Sequence, residues 1–444
     1  MPSKRKRSWK FNLTAMRTLW FVIYNIIGIP AIWLFFRLYS IFNSKVREGL
    51  RDRRDLFTKL NKSLSVLKSS RKVLIHCSSL GEFQQAIPLA EELAKKNYAT
   101  VMSFFSPSGF NNSKINFPET IKTYLPLDSL SNEKKLLDTI DPEIIIFMRY
   151  DLWFNLLYES GKRGIMTVVA NARYDEKDIT WNFPVVSSFK KSLYGMINTI
   201  FVIDKFDEEN YRKKLAGLNT NVIKIGDSKF ERVYDSMKNF SGENVLPEKI
   251  TKGKKIFIIG SSWKEDEEVL LPAIEKTLQY EEDLLTIIVP HEPKETKLAL
   301  IEKTIESKYP AISSIRYSQL DNFSKQNLII VDKIGILSKL YSTAYLSYVG
   351  GGFKTGLHNI LEPAIFNMPV LFSNDVKNSD EDEILLKYGC GIQVRDTRQF
   401  YRIFREILKD EKLRNEIGKR CHLVFRDNVN VSEKIINNIT TESK

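Results

Sequence analysis

Cysteine is scarce in this chain. Cys77, Cys390 and Cys421 are its three thiols, too few and too widely spaced for a disulfide framework or a zinc site, so a reducing compartment is expected. Internal repeats and low-complexity tracts are also missing, which excludes repeat arrays and a long disordered arm. Acidic residues are almost lacking from residues 1–60, where three stand against thirteen Lys and Arg, so ten of the thirteen net positive charges lie there. Basicity confined to one segment argues against a nucleic-acid partner. What remains is ordinary for a folded protein: 444 residues, 43% hydrophobic and 27% charged, enough for two α/β domains and an additional segment.

The basic segment holds an uncharged run of nineteen residues, Thr18 to Phe36, long enough as a helix to reach across a hydrocarbon core. Trp20, Tyr24 and Trp33 add amphipathic rings suited to an interface. Cations flank the run, from Lys4 to Arg17 before it and from Arg37 to Arg54 after it, and favour anionic membrane lipids. No small-residue cleavage site follows, so a membrane anchor is expected rather than a cleaved leader. Asn25 and Pro30 interrupt the run, which leaves open whether it spans the bilayer or lies in one leaflet.

From Lys72 onward, short apolar runs alternate with helix-patterned stretches. Val73–Cys77, Thr100–Phe105, Ile144–Phe147, Met166–Ala170, Ile200–Ile203 and Val222–Ile225 form one series. Ile256–Ile259, Leu285–Val289, Leu328–Val331, Leu346–Val349 and Val370–Phe372 form a second. Such alternation predicts mostly parallel, doubly wound sheets. The expected division is an anchor over 1–60, a Rossmann-like domain over 61–237, a linker over 238–254, a second Rossmann-like domain over 255–425 and a helical tail over 426–444. Ligands of such sheets bind beyond the carboxyl ends of the strands, so the site is expected in a cleft between the two halves.

Two strand ends carry candidate chemistry. The first strand runs into Ser78-Ser79-Leu80-Gly81-Glu82 at the start of a helix. Gly81 allows a tight turn and close approach of a ligand. Glu82 either complements the helix dipole or acts as a general base toward a substrate hydroxyl. In the second half, Val349 leads into Gly350-Gly351-Gly352 and on to His358-Asn359-Ile360-Leu361-Glu362-Pro363-Ala364. The glycines expose backbone amides to a phosphate, Asn359 is placed to cap a helix, and Glu362 is placed to bind ribose hydroxyls. A plain strand-to-helix turn is the simpler reading of the same glycines, and a hydrogen-bonded turn residue that of His358.

The segments His76–Glu82, Asn171-Ala172-Arg173, Gly226–Phe230, Gly260-Ser261-Ser262 and His358–Ala364 together resemble, in order and spacing, the bacterial 3-deoxy-D-manno-octulosonic acid (Kdo) transferases. The resemblance implies a GT-B fold, two Rossmann-like domains behind an N-terminal membrane anchor, acting at the cytoplasmic face of the inner membrane. It implies CMP-Kdo as donor and a lipid A precursor as acceptor, with no metal and no cofactor. Glu82 matches the family's catalytic base. The CMP-Kdo contacts correspond to Pro290, His291, Ile334, Gly335, Ile336, Gly351, Gly352, Asn359, Ile360, Leu361 and Glu362, and the acceptor or transition-state side to Ser79, Gly81, Arg173 and Lys229. Three departures from the family pattern stand out: His291 where Arg is common, Ile336 where Glu is common, and altered acids before Leu152-Trp153.

The resemblance implies inverting transfer in lipopolysaccharide synthesis, with Glu82 taking the hydroxyl proton as CMP departs. Asp380-Glu381-Asp382, a possible metal motif, reads as a solvated helix start. The rival readings are another GT-B enzyme with a lipid-linked acceptor, a sugar-nucleotide epimerase, and a non-catalytic membrane scaffold.

Overall fold

Strands buried on both faces need near-continuous apolar sequence, and the runs named above supply it. A computed structural model describes residues 13–238, 245–353, 356–374, 381–426 and 428–442. Two units emerge, one of residues 1–232 with 430–444 and one of residues 233–429.

In the first unit, α1 (Leu13–Ile23), α2 (Ile29–Phe42), α3 (Ser44–Asp52) and α4 (Leu56–Leu64) precede the sheet. There follow β1 (Lys72–Cys77), α5 (Leu80–Lys95), β2 (Ala99–Phe104), α6 (Pro107–Asn112), β3 (Thr120–Tyr124), α7 (Leu130–Ile140) and β4 (Ile144–Met148). The unit continues through α8 (Phe154–Lys162), β5 (Met166–Ala172), α9 (Pro184–Tyr194), β6 (Thr199–Val202), α10 (Lys205–Lys214), β7 (Asn221–Lys224) and the start of α11 (Ser228–Lys238), which passes from the first unit to the second after Arg232. The strands pair in the order β3-β2-β1-β4-β5-β6-β7, each pair parallel. The order reverses between β1 and β4, and a ligand crevice is expected beyond the carboxyl ends of those two strands.

The expected helical tail is not a separate element. Helix Val431–Glu442 belongs to the first unit and buries Val431, Ile435, Ile436 and Ile439 in the same core as Phe83, Leu89 and Leu93 of α5. Its first turn is tied down where Ser432 N donates to Glu231 Oε2 at 2.8 Å.

The second unit repeats the plan with β8 (Lys255–Ser262), β9 (Leu284–Pro290), β10 (Ser314–Arg316), β11 (Leu328–Ile330), β12 (Leu346–Val349), β13 (Val370–Ser373) and β14 (Gly391–Val394). Their order is β10-β11-β9-β8-β12-β13-β14, with the reversal between β8 and β12. Part of the expected linker is core: Leu246 and Ile250 are buried with Ile256 and Ile258. Residues 239–244 of that linker lie outside the described residues, as do Lys4 to Lys10 of the basic flank.

The apolar N-terminal run forms one helix over Thr14–Phe42, loosened to a π-turn at Tyr24–Gly28 just before Pro30. Proline lacks the N–H that would close the preceding turn, which accounts for the widening there. The two halves differ. On α1, Trp20 meets Phe189 and Phe21 stacks on Tyr158, while the Tyr24 hydroxyl donates to Asp128 Oδ2 at 2.9 Å. Asn25 and Asn155 exchange amide hydrogen bonds at 2.9 and 3.0 Å. On α2 no residue is buried, and Leu34, Phe35, Leu38, Ile41 and Phe42 are all exposed. So α1 is a docked helix of the first unit, and α2 is an apolar extension with an exposed face that touches the unit where Phe36 meets Phe105 at 5.5 Å and Arg47 donates to Ser40 O and Ile41 O.

Asn155 is fully buried, and replacing Asn25 by Ala removes the donor to its carbonyl oxygen. An orphaned buried polar atom costs about 1–3 kcal/mol. Asn25→Ala should therefore lower the melting temperature of the detergent-solubilised protein, and an unchanged melt would mean that α1 is not docked through this pair.

Candidate functional site

At the reversal point of the first sheet, β1 ends and α5 begins with Ser79 as N-cap, its hydroxyl accepting from Glu82 N at 3.3 Å. The Glu82 carboxylate folds back over the strand end. The Ser78 amide donates to Oε2, and the Ser78 hydroxyl lies 3.0 Å from Oε1 and 2.9 Å from Oε2. Glu82 is 8% exposed, and burial pushes its carboxyl above the usual range, against the Ser78 hydrogen bonds and His76, which pull it down. A buried carboxylate with a raised pKa is suited to accept a proton near neutrality. Gly81 lies in the first helical turn, so the tight turn expected there is not its role. A Cβ on it would meet only Ser79 Oγ, at 3.8 Å, which leaves that face of the helix start open.

Two neighbours of Glu82 were not singled out from sequence as a pair. His76, fully buried on β1, makes hydrogen bonds through Nδ1 to Ser103 Oγ at 2.9 Å and through Nε2 to Asp151 Oδ2 at 3.0 Å. Asp151 follows β4, so the pair bridges the reversal point. Only the histidine inside an otherwise apolar strand hinted at it.

Cations gather at the ends of β4, β5 and β7. Burial raises the Asp227 carboxyl, and the charges of Arg149, Lys229 and Arg173 counter that rise. Asn171, in the left-handed region at φ 56°, donates from Nδ2 to Ser228 Oγ at 2.7 Å, and Ser228 Oγ donates in turn to Gln85 O at 2.7 Å. These bonds join the β5 and β7 loops to α5. Ser79, Glu82, Arg173 and Lys229 thus lie in the segments and first helical turns that follow the carboxyl ends of β1, β5 and β7 in one sheet.

In the second unit, β8 leads to Trp263 and the helix Lys264–Leu278, and β12 leads to Gly350. The glycine loop is set by Asp266, which is fully buried. Its Oδ2 accepts from Trp263 N at 2.9 Å and Gly351 N at 3.0 Å, and its Oδ1 from the Tyr348 hydroxyl at 2.8 Å. The glycines are required sterically. A Cβ at Gly350 would fall 2.6 Å from both Asp266 Oδ2 and Ser261 O, one at Gly352 would strike Ser373 Oγ, and Gly351 has φ +96°. Next to the loop, Trp263 stacks on His291 at 4.9 Å and His291 on His358 at 4.3 Å. Trp263 Nε1 donates to His358 Nε2 at 3.1 Å, and burial lowers the His358 pKa, helped by His291. Near the other end of the motif, Glu362 accepts from Asn359 Nδ2 and from the Ser338 hydroxyl, each at 3.0 Å.

The remaining expected donor contacts divide by exposure. Ile334 is 83% exposed and Gly335 has φ +84°, whereas the side chains of Ile336, Ile360 and Leu361 are buried, so only their backbone atoms are available to a ligand. Pro290 closes β9 and is buried. Lys354, Thr355 and Asp380 lie outside the described residues. Among the described residues no group of three or more His, Cys, Asp and Glu is arranged to hold a metal ion.

Residues 48–232 match the family model of 3-deoxy-D-manno-octulosonic-acid transferases (kdotransferases). Over 442 residues the chain is 23% identical to the 3-deoxy-D-manno-octulosonic acid transferase of Haemophilus influenzae, an alignment covering 96% of this chain and 97% of that protein. It is 27% identical over 405 residues to a bifunctional glycosyltransferase/methyltransferase of Fusobacterium nucleatum, covering 87% of this chain but 61% of that longer protein. Among solved structures, UDP-GlcNAc 2-epimerase from Neisseria meningitidis matches with a TM-score of 0.56 at 13% identity, over 83% of this chain and all of that one, a likeness of fold alone.

Proposed function

The chain belongs to the Kdo transferase family of GT-B-like glycosyltransferases, and from that premise we propose that it transfers Kdo from CMP-Kdo to a hydroxyl of a lipid A precursor with inversion. The observation that carries this reading is the Glu82 carboxylate: buried, raised in pKa and seated at the strand reversal of the first sheet. The acceptor oxygen attacks the anomeric carbon, the bond from that carbon to the CMP phosphate breaks, and Glu82 takes the hydroxyl proton. Its Oε1 is the better candidate to receive it, because the Ser78 amide already holds Oε2. Arg173 and Lys229, with Ser79 and Gly81, form the acceptor side.

The donor is assigned to the second unit. The Gly351 amide is already spent on Asp266, so the amide of Gly352 and the ring of His291 are assigned to the phosphate, while Glu362, held by Asn359 and Ser338, receives the ribose hydroxyls. Backbone atoms of Pro290, Ile334, Gly335, Ile336, Ile360 and Leu361 complete the nucleotide contacts. The exposed apolar α2 supports a lipid acceptor at the cytoplasmic face of the inner membrane and weighs against the epimerase reading. Incubation with CMP-Kdo and a tetraacyl lipid A precursor should give products heavier by whole Kdo units. Epimerisation of a UDP-sugar without any such product would reverse the assignment.

A ribose contact acts in ground and transition states alike. Glu362→Ala should therefore raise KM for CMP-Kdo by roughly 10- to 100-fold, the equivalent of one charged hydrogen bond, with a smaller change in kcat. An unchanged KM would place the ribose elsewhere.

A further inference from the structure

A cavity of about 730 Å³ opens in the first unit between α2, α3, α4 and the segment after β3. Its apolar lining comes from Ile29, Ile32 and Trp33 of α2 with Phe57 of α4. The same lining carries five arginines, Arg37, Arg47, Arg51, Arg53 and Arg54. The one acid in the lining is Asp128, already bonded to the Tyr24 hydroxyl and to the amides of Asn155 and Leu156. Burial also pushes the Asp128 carboxyl up to about 7, which reduces the negative charge it offers the arginines.

Two of the five arginines, Arg37 and Arg54, are not consumed by the fold, whereas Arg47 donates to Ser40 O and Ile41 O at 3.0 and 2.7 Å and Arg51 pairs with Asp52 at 3.4 Å. Arg53 gives its donors to the carbonyls of Gly49, Phe105 and Leu125, and burial lowers its pKa to about 10 against the nearby charge of Asp52. Arg37 lies over the Trp33 ring, and neither it nor Arg54 makes a side-chain hydrogen bond or ion pair among the described residues. Apolar walls beside unpaired guanidinium groups fit an amphiphile whose anionic group is phosphate.

The cavity is also close to the proposed base. Gly49 of α3 lies against Pro107 of α6, where a Cβ would come within 3.1 Å, and Gly109 two residues on lies 3.4 Å by the same measure from the backbone of Ser79. Ser79 caps the helix that carries Glu82, so one short helix separates the cavity wall from the carboxylate.

We propose that this cavity is a recognition subsite for the acceptor, holding one of its phosphate groups on Arg37 and Arg54 and the adjoining acyl chains against α2 and Phe57. The inference rests on the lipid-acceptor reading above. The test uses the full chain in detergent micelles, comparing the wild type with R37Q/R54Q and R37E/R54E on a phosphorylated tetraacyl precursor and its dephosphorylated form. Both arginines are exposed, so the variants should fold. In R37E/R54E the KM for the phosphorylated acceptor should rise about 10- to 100-fold, with KM for CMP-Kdo and saturating kcat close to wild type. The preference for the phosphorylated over the dephosphorylated acceptor should vanish, with R37Q/R54Q intermediate. An unchanged acceptor KM beside normal wild-type transfer overturns the subsite and leaves the proposed function standing. Loss confined to binding of phosphatidylglycerol vesicles, with micellar KM unaffected, assigns the arginines to bulk membrane lipid and equally overturns it. Failure of the wild type to glycosylate either lipid removes the function on which the subsite depends.

Discussion

A folded Glu82→Gln protein should lose kcat by about 10²- to 10⁴-fold, the usual contribution of a general base, with affinity for CMP nearly unchanged. Glutamine keeps the size of the side chain and can still accept from Ser78, but it cannot take a proton from a sugar hydroxyl. The pH dependence provides a second measure. Burial raises the Glu82 carboxyl above its ordinary 4.5, and a base works only when ionised, so kcat/KM should fall as pH drops through that raised value. The variant should lack this acid limb. If the carboxylate only completed the helix cap, the substitution would cost at most about 1 kcal/mol of stability and leave turnover intact. Near-normal turnover would shift the base role to Asp151, which lies at the same reversal point and is held by His76.

The other large effect is expected at Asp266, where the consequence is architectural. Asp266→Ala removes the acceptor shared by the Tyr348 hydroxyl and the amides of Trp263 and Gly351. With each buried donor worth about 1–3 kcal/mol when orphaned, the second unit should lose about 3 kcal/mol or more, and the glycine loop its position. Denaturant unfolding followed by Trp263 fluorescence should show the loss, and titration with CMP should show weaker binding. Asp266→Asn keeps one acceptor oxygen and should fall between. An Ala variant of wild-type stability and CMP affinity would mean that the loop is held by other groups.

The sequence was most readable where burial is two-sided. Central strands such as β1, β4, β8 and β9 are continuous apolar runs, and each was recognised from that pattern. The three strands that were not, β3, β10 and β14, are edge strands. Thr120–Tyr124 and Gly391–Val394 have one partner and partly exposed faces, and Ser314–Arg316 is three residues long, so no apolar run marks them. The glycine loop stood out because the steric need is met by residue type. Asp266 did not, because an acid in the first turn of a helix looks like dipole compensation until a strand from elsewhere in the chain delivers Tyr348 and Gly351 to it. Hydropathy revealed the N-terminal helix but not its division, since a side chain packed on α8 or α9 and one facing lipid have the same composition. Cavity-lining arginines were counted as flanking charge for the same reason: only folding brings α3 beneath α2.

The return of helix Val431–Glu442 to the first unit bears on the order in which the protein is built. During synthesis domains generally fold as units, N-terminal first. Here the opening unit cannot close in that order, because Val431, Ile435, Ile436 and Ile439 belong to its core and emerge only after the whole of the second unit. A nascent chain halted at Val429 would carry a complete second unit and an α5 packed on β1, β2 and β4 but uncovered where Val431, Ile435, Ile436 and Ile439 belong. The helix bearing Glu82 therefore gains its last packing partner only at the end of synthesis, although its strand is among the first to be made.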